Sequence, residues 1–265
     1  MRTFQIRSRG QIALFAGIWL LAFVPFFLFG ALYPTGYGHA IAAAAAQANY
    51  APLVAWASQH LGLTIAFPII EMLPLVALVR LPEMLHSVIY ADQRGRIGQW
   101  CGVAGLVVLA LVTLVSMIQL VAAAHQFAGA SADGQSAIGA NFRVVAITES
   151  LVADILGSIL MTIWLVSVSV PLVRLGGYER VIGGVGVLSA ALFAATAGLV
   201  AFNPQQPQGA IAGTALALFG VWLILTGVLL IRRAPALGQP ISEEEAGPTP
   251  DPSPAKLERG EHMAG

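Results

Sequence analysis

The chain has 265 residues, of which 57% are hydrophobic and only 10% charged, and its 13 basic and 13 acidic side chains cancel. With a mean hydropathy of +0.80, it carries too little charge to cover the surface of a water-soluble domain. The neutral balance gives no electrostatic footprint for nucleic acid. A single cysteine, Cys101, excludes an internal disulfide and a cysteine-rich metal cluster.

Crossing a hydrocarbon core of about 30 Å takes about 20 apolar residues, and six such runs are present, at about 12–32, 53–79, 101–123, 144–173, 181–202 and 210–231. Each is expected to be helical, because lipid offers backbone groups no hydrogen-bond partner. The first follows Arg2, Arg7 and Arg9, and Ala40-Ile41-Ala42 downstream has the look of a signal-peptidase site. Its run of about 20 residues exceeds the roughly 7–15 of a signal h-region, so it reads as an uncleaved anchor. The alanine-rich AIAAAAAQA that follows favours a helix outside the bilayer.

The second run contains AFPIIEMLPL, with Glu71 between Pro68 and Pro74. After it, LPEMLHSVIY places Pro82 at a helix start with Leu85, Val88 and Ile89 on one side, the pattern of a short interfacial helix. Thr113, Ser116 and Gln119 give the third run a polar edge. On the fourth, Ser150, Asp154, Ser158 and Thr162 recur every four residues beside Gly157, and Glu149 precedes them. This stripe is expected to face the bundle interior.

Gly186, Ala190, Ala194 and Gly198 form a small-residue stripe on the fifth run, and Gly209, Gly213 and Ala217 begin another on the sixth. With about seven residues between them, these two runs are expected to pack as a close antiparallel hairpin. The membrane domain therefore covers 1–233. Residues 234–265, rich in Pro, Gly and acid, are expected to form a disordered cytoplasmic tail whose Glu243-Glu244-Glu245 run is simply solvated.

Arginine placement sets the expected orientation. Basic residues precede the first run, follow the second (Arg80, Arg94, Arg96) and the fourth (Arg174, Arg180), and close the sixth (Arg232, Arg233). The intervening connections are bare except for Arg143. Both termini are thus expected to be cytoplasmic, in a polytopic all-α bundle of the cell membrane.

The acids carry the functional question, because an ionisable residue at a helix centre costs about 2.5–3.5 kcal/mol on insertion scales and usually marks a site. Glu71 lies nine residues before Arg80, roughly 13–14 Å from that edge at 1.5 Å per residue. Asp154 lies about ten residues inside its run, roughly 15 Å from the opposite edge. Both are expected at mid-depth, with Glu149 nearer the outside. Pro68 and Pro74 should free the carbonyls of Thr64 and Ile70, so Glu71 is expected in a small polar pocket between the second, third and fourth spans. Without a nearby cation, such carboxyls favour the neutral form or share a proton.

Other chemistry is weakly supported. His39, His60 and His125 with Asp133 and Glu149 have the residue types of a zinc site but no ligand spacing. His60 with His125 is the sole pair open to haem, and neither metal nor cofactor is expected. No nucleophile elbow, P-loop or dinucleotide fingerprint is present, so no enzyme is expected.

The segments WLVSVSVPLVRLGGYERVIGGVGVLSA and LFGVWLILTGVLLIRR resemble those of small bacterial six-helix integral membrane proteins catalogued as a domain of unknown function. That resemblance implies the six-span fold and carries over no site residue. The residues point first to an accessory, structural or sensory membrane protein whose acids hold helices together. They point second to a transporter-like protein handling a proton, cation or small solute at Glu71 and Asp154. The bilayer is the expected partner, with a second copy or another membrane protein as a further candidate.

Overall fold

The computed structural model describes residues 2–47, 49–89, 96–202 and 209–237, and these are helical with short connections. Six stretches among them are long and apolar enough to cross a membrane: Phe4–Thr35, Leu61–Ile89, Arg96–Phe127, Ala132–Leu175, Gly177–Phe202 and Ile211–Ala234. Phe4, Phe15, Phe26, Ile97, Leu111, Ile118 and Phe202 stand on the outer surface. So much exposed apolar surface matches lipid rather than water. The tail expected from 234 begins as helix, since Gly209–Leu237 is continuous, and 238–265 lie outside the described residues.

Several expected boundaries shift for local reasons. In the first span Pro25 lies between two π-helical segments, Trp19–Phe23 and Leu28–Leu32, the local adjustment that accommodates a missing N–H. The span stops at Gly36, whose φ of 86° suits a residue without Cβ. The alanine run is the helix Tyr37–Gln47.

The second run is not one helix but two, Ala51–Gln59 and Leu61–Leu78, broken at His60. There His60 Nδ1 lies 3.0 Å from the Trp56 carbonyl and Thr64 Oγ1 donates to the His60 carbonyl at 3.1 Å. Side chains thus satisfy the backbone at the break. The Leu81–Ile89 helix buries Leu81, Pro82 and Leu85, so it is seated on the bundle.

The fourth span starts at Ala132, twelve residues before the apolar run, where Ser131 Oγ caps the Gly134 N–H at 3.3 Å. Hydropathy alone missed this polar first part. The 44-residue length of Ala132–Leu175 amounts to about 66 Å, roughly twice a bilayer core. Its first turns therefore project past the hydrocarbon, beside Ala51–Gln59. A π-helical segment, Leu151–Gly157, interrupts it.

The spans neighbour one another as a ring: first on sixth, sixth on fifth, fifth on fourth, fourth on third, third on second, and second back on first. Trp164, Phe219 and Trp222 are fully buried inside it, with Trp164 meeting Trp222 edge-on at 5.6 Å and Phe219 at 6.0 Å. Such pairs contribute about 0.5–1.5 kcal/mol beyond area burial.

The first and sixth spans approach closely along their backbones. A Cβ on Gly17 would lie 2.6 Å from the Gly220 carbonyl oxygen, and one on Gly227 would lie 2.7 Å from that of Gly10. The fifth span does meet the sixth, where Ser189 Oγ donates to the Ala215 carbonyl at 3.3 Å. Of the expected stripe, Gly186 and Ala190 are buried, but Ala194 is exposed and Gly198 and Gly213 face open space. A strict four-residue repeat drifts about 40° per step around a helix of 3.6 residues per turn. The buried face instead runs Gly183, Gly186, Ala190, Phe193, Ala197, Val200, alternating steps of three and four.

Candidate functional site

A cavity of about 360 Å³ opens between the second, third and fourth spans. The second span contributes Phe67, Pro68 and Glu71, one turn of its inner face. The third contributes Val112, Thr113, Ser116, Met117 and Leu120, two adjacent four-residue rows. The fourth contributes Phe142, Ala146, Glu149 and Ala153, at the 4-3-4 spacing of a single helix face. Tyr37, Tyr50 and Leu53 complete the wall from the segments beyond the bilayer runs.

Two carboxyls therefore share one small space, and they are Glu71 and Glu149. Ser116 Oγ donates to Glu149 Oε2 across the third and fourth spans. The other oxygen, Oε1, is buried without a hydrogen-bond partner among the described residues. Glu71 is half-buried. No lysine or arginine is among the lining residues. Among the lining residues an ionised carboxylate has no cation to offset its desolvation, so the site favours a bound proton or an exogenous cation.

Four aromatic rings stand in the walls beside the acids, Phe67 and Phe142 on the acids' own helices and Tyr37 and Tyr50 from the outer segments. Tyr37 and Phe67 meet at 6.4 Å edge-on, and Tyr50 packs on Phe142 at 5.8 Å. Burial, and next the charge of Glu71, push the Tyr37 phenol up to about 12, so its hydroxyl stays a donor. The rings supply π-faces and the acids supply charge, a pairing that attracts cations.

The prolines act as expected in part. Trp19 Nε1 donates at 2.9 Å to the Ile70 carbonyl, the group that Pro74 deprives of its helical partner. The first span thereby holds the second just beside Glu71. Pro68 itself lines the cavity.

The other expected site residues lie elsewhere. Asp154 is half-buried and is not among the lining residues. It follows Ala153 on the π-helical segment, about 100° around the helix from the lining face. Below that segment the stripe turns toward the fifth span: Ser158 is buried, and Thr162 Oγ1 donates to the Ser158 carbonyl at 2.7 Å and the Ala190 carbonyl at 3.2 Å. Gln119 is half-buried and off the lining rows. The side chain of Ser150 lies outside the described residues. His39 and His125 are exposed, while His60 belongs to the helix break. Among the described residues no three His, Cys, Asp or Glu side chains group as a metal set.

Sequence reasoning missed the aromatic wall and the pairing of Arg233 with the largely buried Glu179. The 4-3-4 spacing through Phe142, Ala146, Glu149 and Ala153 was the available signal for Glu149. Neither a family model, nor a curated protein, nor a solved structure matches this chain. Its class rests on its own architecture: a helical bundle with six span-capable helices, an apolar exterior and an acidic, aromatic-walled cavity.

Proposed function

We propose that this is a multi-pass protein of the cell membrane, with both termini cytoplasmic, that binds a small cation in exchange for a proton at Glu71 and Glu149. The alternation of arginine-rich and arginine-free connections supports the orientation. One observation carries the function: two carboxyls on different spans open into one cavity of small-ligand size with no basic residue in its wall. Thr113, Ser116 and the Tyr37 phenol line the same cavity, and their hydroxyl oxygens offer neutral groups to complete a coordination or solvation shell.

Calorimetric titration of the purified chain with tetramethylammonium, run in buffers of different ionisation heat, tests this. Binding with proton release is expected. Glu71→Gln and Glu149→Gln preserve shape and remove titration, so each should abolish the proton release. Binding and proton release that persist undiminished in both variants would refute the assignment.

An accessory or structural role is the second reading, and the Ser116–Glu149 hydrogen bond favours it. It predicts no cation binding, and loss of thermal stability in Ser116→Ala as large as in Glu149→Gln.

A further inference from the structure

The basic end of the bundle carries a second concavity, of about 500 Å³, between the first turns of the first span and the Leu81–Ile89 helix. Arg9 and Arg80 line it together with Gln5, Ser8 and Ser87. Arg9 is half-buried there, whereas Arg7 two residues earlier is exposed and is not in the lining. Arg9 makes no ion pair among the described residues. Arg80 pairs with Glu83 at 3.3 Å, but both side chains are more than half exposed, at 69% and 57%. An exposed pair of that kind contributes little and yields readily to a competing anion.

We propose that this groove binds the phosphate of an anionic phospholipid headgroup. Two guanidinium groups, one from the first span and one from the turn just before the Leu81–Ile89 helix, line one space, and the guanidinium fork matches phosphate oxygens in pairs. The groove sits where the apolar spans end, the depth at which headgroups lie, and basic pockets between spans on the cytoplasmic side are suited to such lipids. Glu83, its carboxylate held by Arg80, and the apolar Phe4, Ile12 and Met84 complete the wall, Phe4 being 77% exposed. That apolar rim suits the glycerol and first acyl carbons of a lipid rather than a free phosphate ion. Ser87 already donates its hydroxyl hydrogen to the Met84 carbonyl at 2.8 Å, so its oxygen is left to accept from a hydroxylated headgroup. Phosphatidylglycerol fits each of these features. This site is separate from the Glu71–Glu149 cavity and does not depend on the reading of that cavity.

The test follows thermal unfolding of the full chain in detergent while phosphatidylglycerol, phosphatidylcholine or inorganic phosphate is added at matched phosphate concentration. Phosphatidylglycerol is expected to stabilise at least tenfold more effectively than the other two. The Arg9→Gln/Arg80→Gln variant should lose that preference, whereas Arg232→Gln, exposed and outside the groove, should keep it within twofold. Equal stabilisation by inorganic phosphate would overturn the lipid assignment, and an unchanged preference in the double arginine variant would overturn the site. Should that variant fail to fold, photo-crosslinking of the unaltered chain with a diazirine-bearing phosphatidylglycerol decides. Adducts in 4–12 and 80–87 support the groove, and adducts spread over the other spans refute it.

Discussion

The crossing of the first and sixth spans makes a quantitative demand. Gly17→Ala places a methyl 2.6 Å from the Gly220 carbonyl oxygen and 2.7 Å from Ile224 Cγ1, and Gly227→Ala places one 2.6 Å from the Leu14 nitrogen. A carbon seated on a carbonyl oxygen needs about 3.3 Å, so the helices must separate by about 0.7 Å. The obstructing atoms include backbone, which no rotamer change can move aside. Over-packing of this kind costs about 1–3 kcal/mol, against about 1 kcal/mol gained from replacing glycine by alanine within a helix. Because the two positions sit on one crossing, the first displacement makes room for the second and the effects fall short of additive. The double variant should therefore lose about 1–3 kcal/mol. Gly198→Ala and Gly213→Ala, which meet nothing within 4 Å, should instead be neutral or gain up to about 1 kcal/mol. Denaturant unfolding in mild detergent, followed by the fluorescence of the five tryptophans, measures all four. A Gly17→Ala/Gly227→Ala protein as stable as the parent, or a loss of the same size in Gly198→Ala, would refute the argued crossing.

Three further outcomes are expected. Trp19→Phe keeps the ring but strips the donor from the Ile70 carbonyl. It should cost about 1–3 kcal/mol in the same unfolding assay and speed amide exchange around Glu71. The Tyr37 phenol, displaced upward to about 12 by burial and then by Glu71, gives a stability contribution that is complete below its ordinary value of 10.0. That contribution is lost as pH rises through about 12. Ultraviolet difference titration should show one lagging tyrosine, absent in Tyr37→Phe; an unchanged curve in that variant would count against the burial. A double-mutant cycle on Glu179 and Arg233, whose side chains are 11% and 53% exposed, should give a coupling of about 1 kcal/mol that shrinks in high salt.

The number of spans was legible because hydropathy is a long-window property that survives local irregularity. Irregularities are what the pattern concealed. At the His60 break the ring nitrogen lies against the Trp56 carbonyl and Thr64 Oγ1 donates to the His60 carbonyl, an arrangement that no propensity encodes. The polar first turns of the fourth span read as loop because they lie outside lipid, yet a Ser131 cap and ordinary helix formers carry them. The glycine stripe was sought at four-residue spacing on the fifth span, while Gly10, Ala13 and Gly17, buried on the first, lay at 3-4 spacing beneath the arginines that drew attention as a signal region.

The fourth span explains why Glu149, rather than Asp154, shares the cavity with Glu71. Reading Ser150, Asp154, Ser158 and Thr162 as one face assumes an unbroken α-helix. The π-helical segment Leu151–Gly157 adds backbone without advancing the turn, so residues before and after it serve different neighbours. Above it, Glu149 faces the third span and the cavity; below it, Thr162 bonds the fifth span's backbone at Ala190. Below the segment, Thr162 is bonded to carbonyls and ties the fourth span to the fifth. Above it, Glu149 Oε1 is buried without a hydrogen-bond partner among the described residues. The energetic cost of that oxygen has no structural return within the chain, and a ligand or proton arriving in the cavity is what would offset it. Glu149→Leu supplies the decisive contrast: if the carboxyl serves the cavity at the fold's expense, the apolar variant should be as stable as the parent or more so while losing cation binding, whereas a loss of stability with no cation binding in the parent would show that the carboxyl serves only the fold.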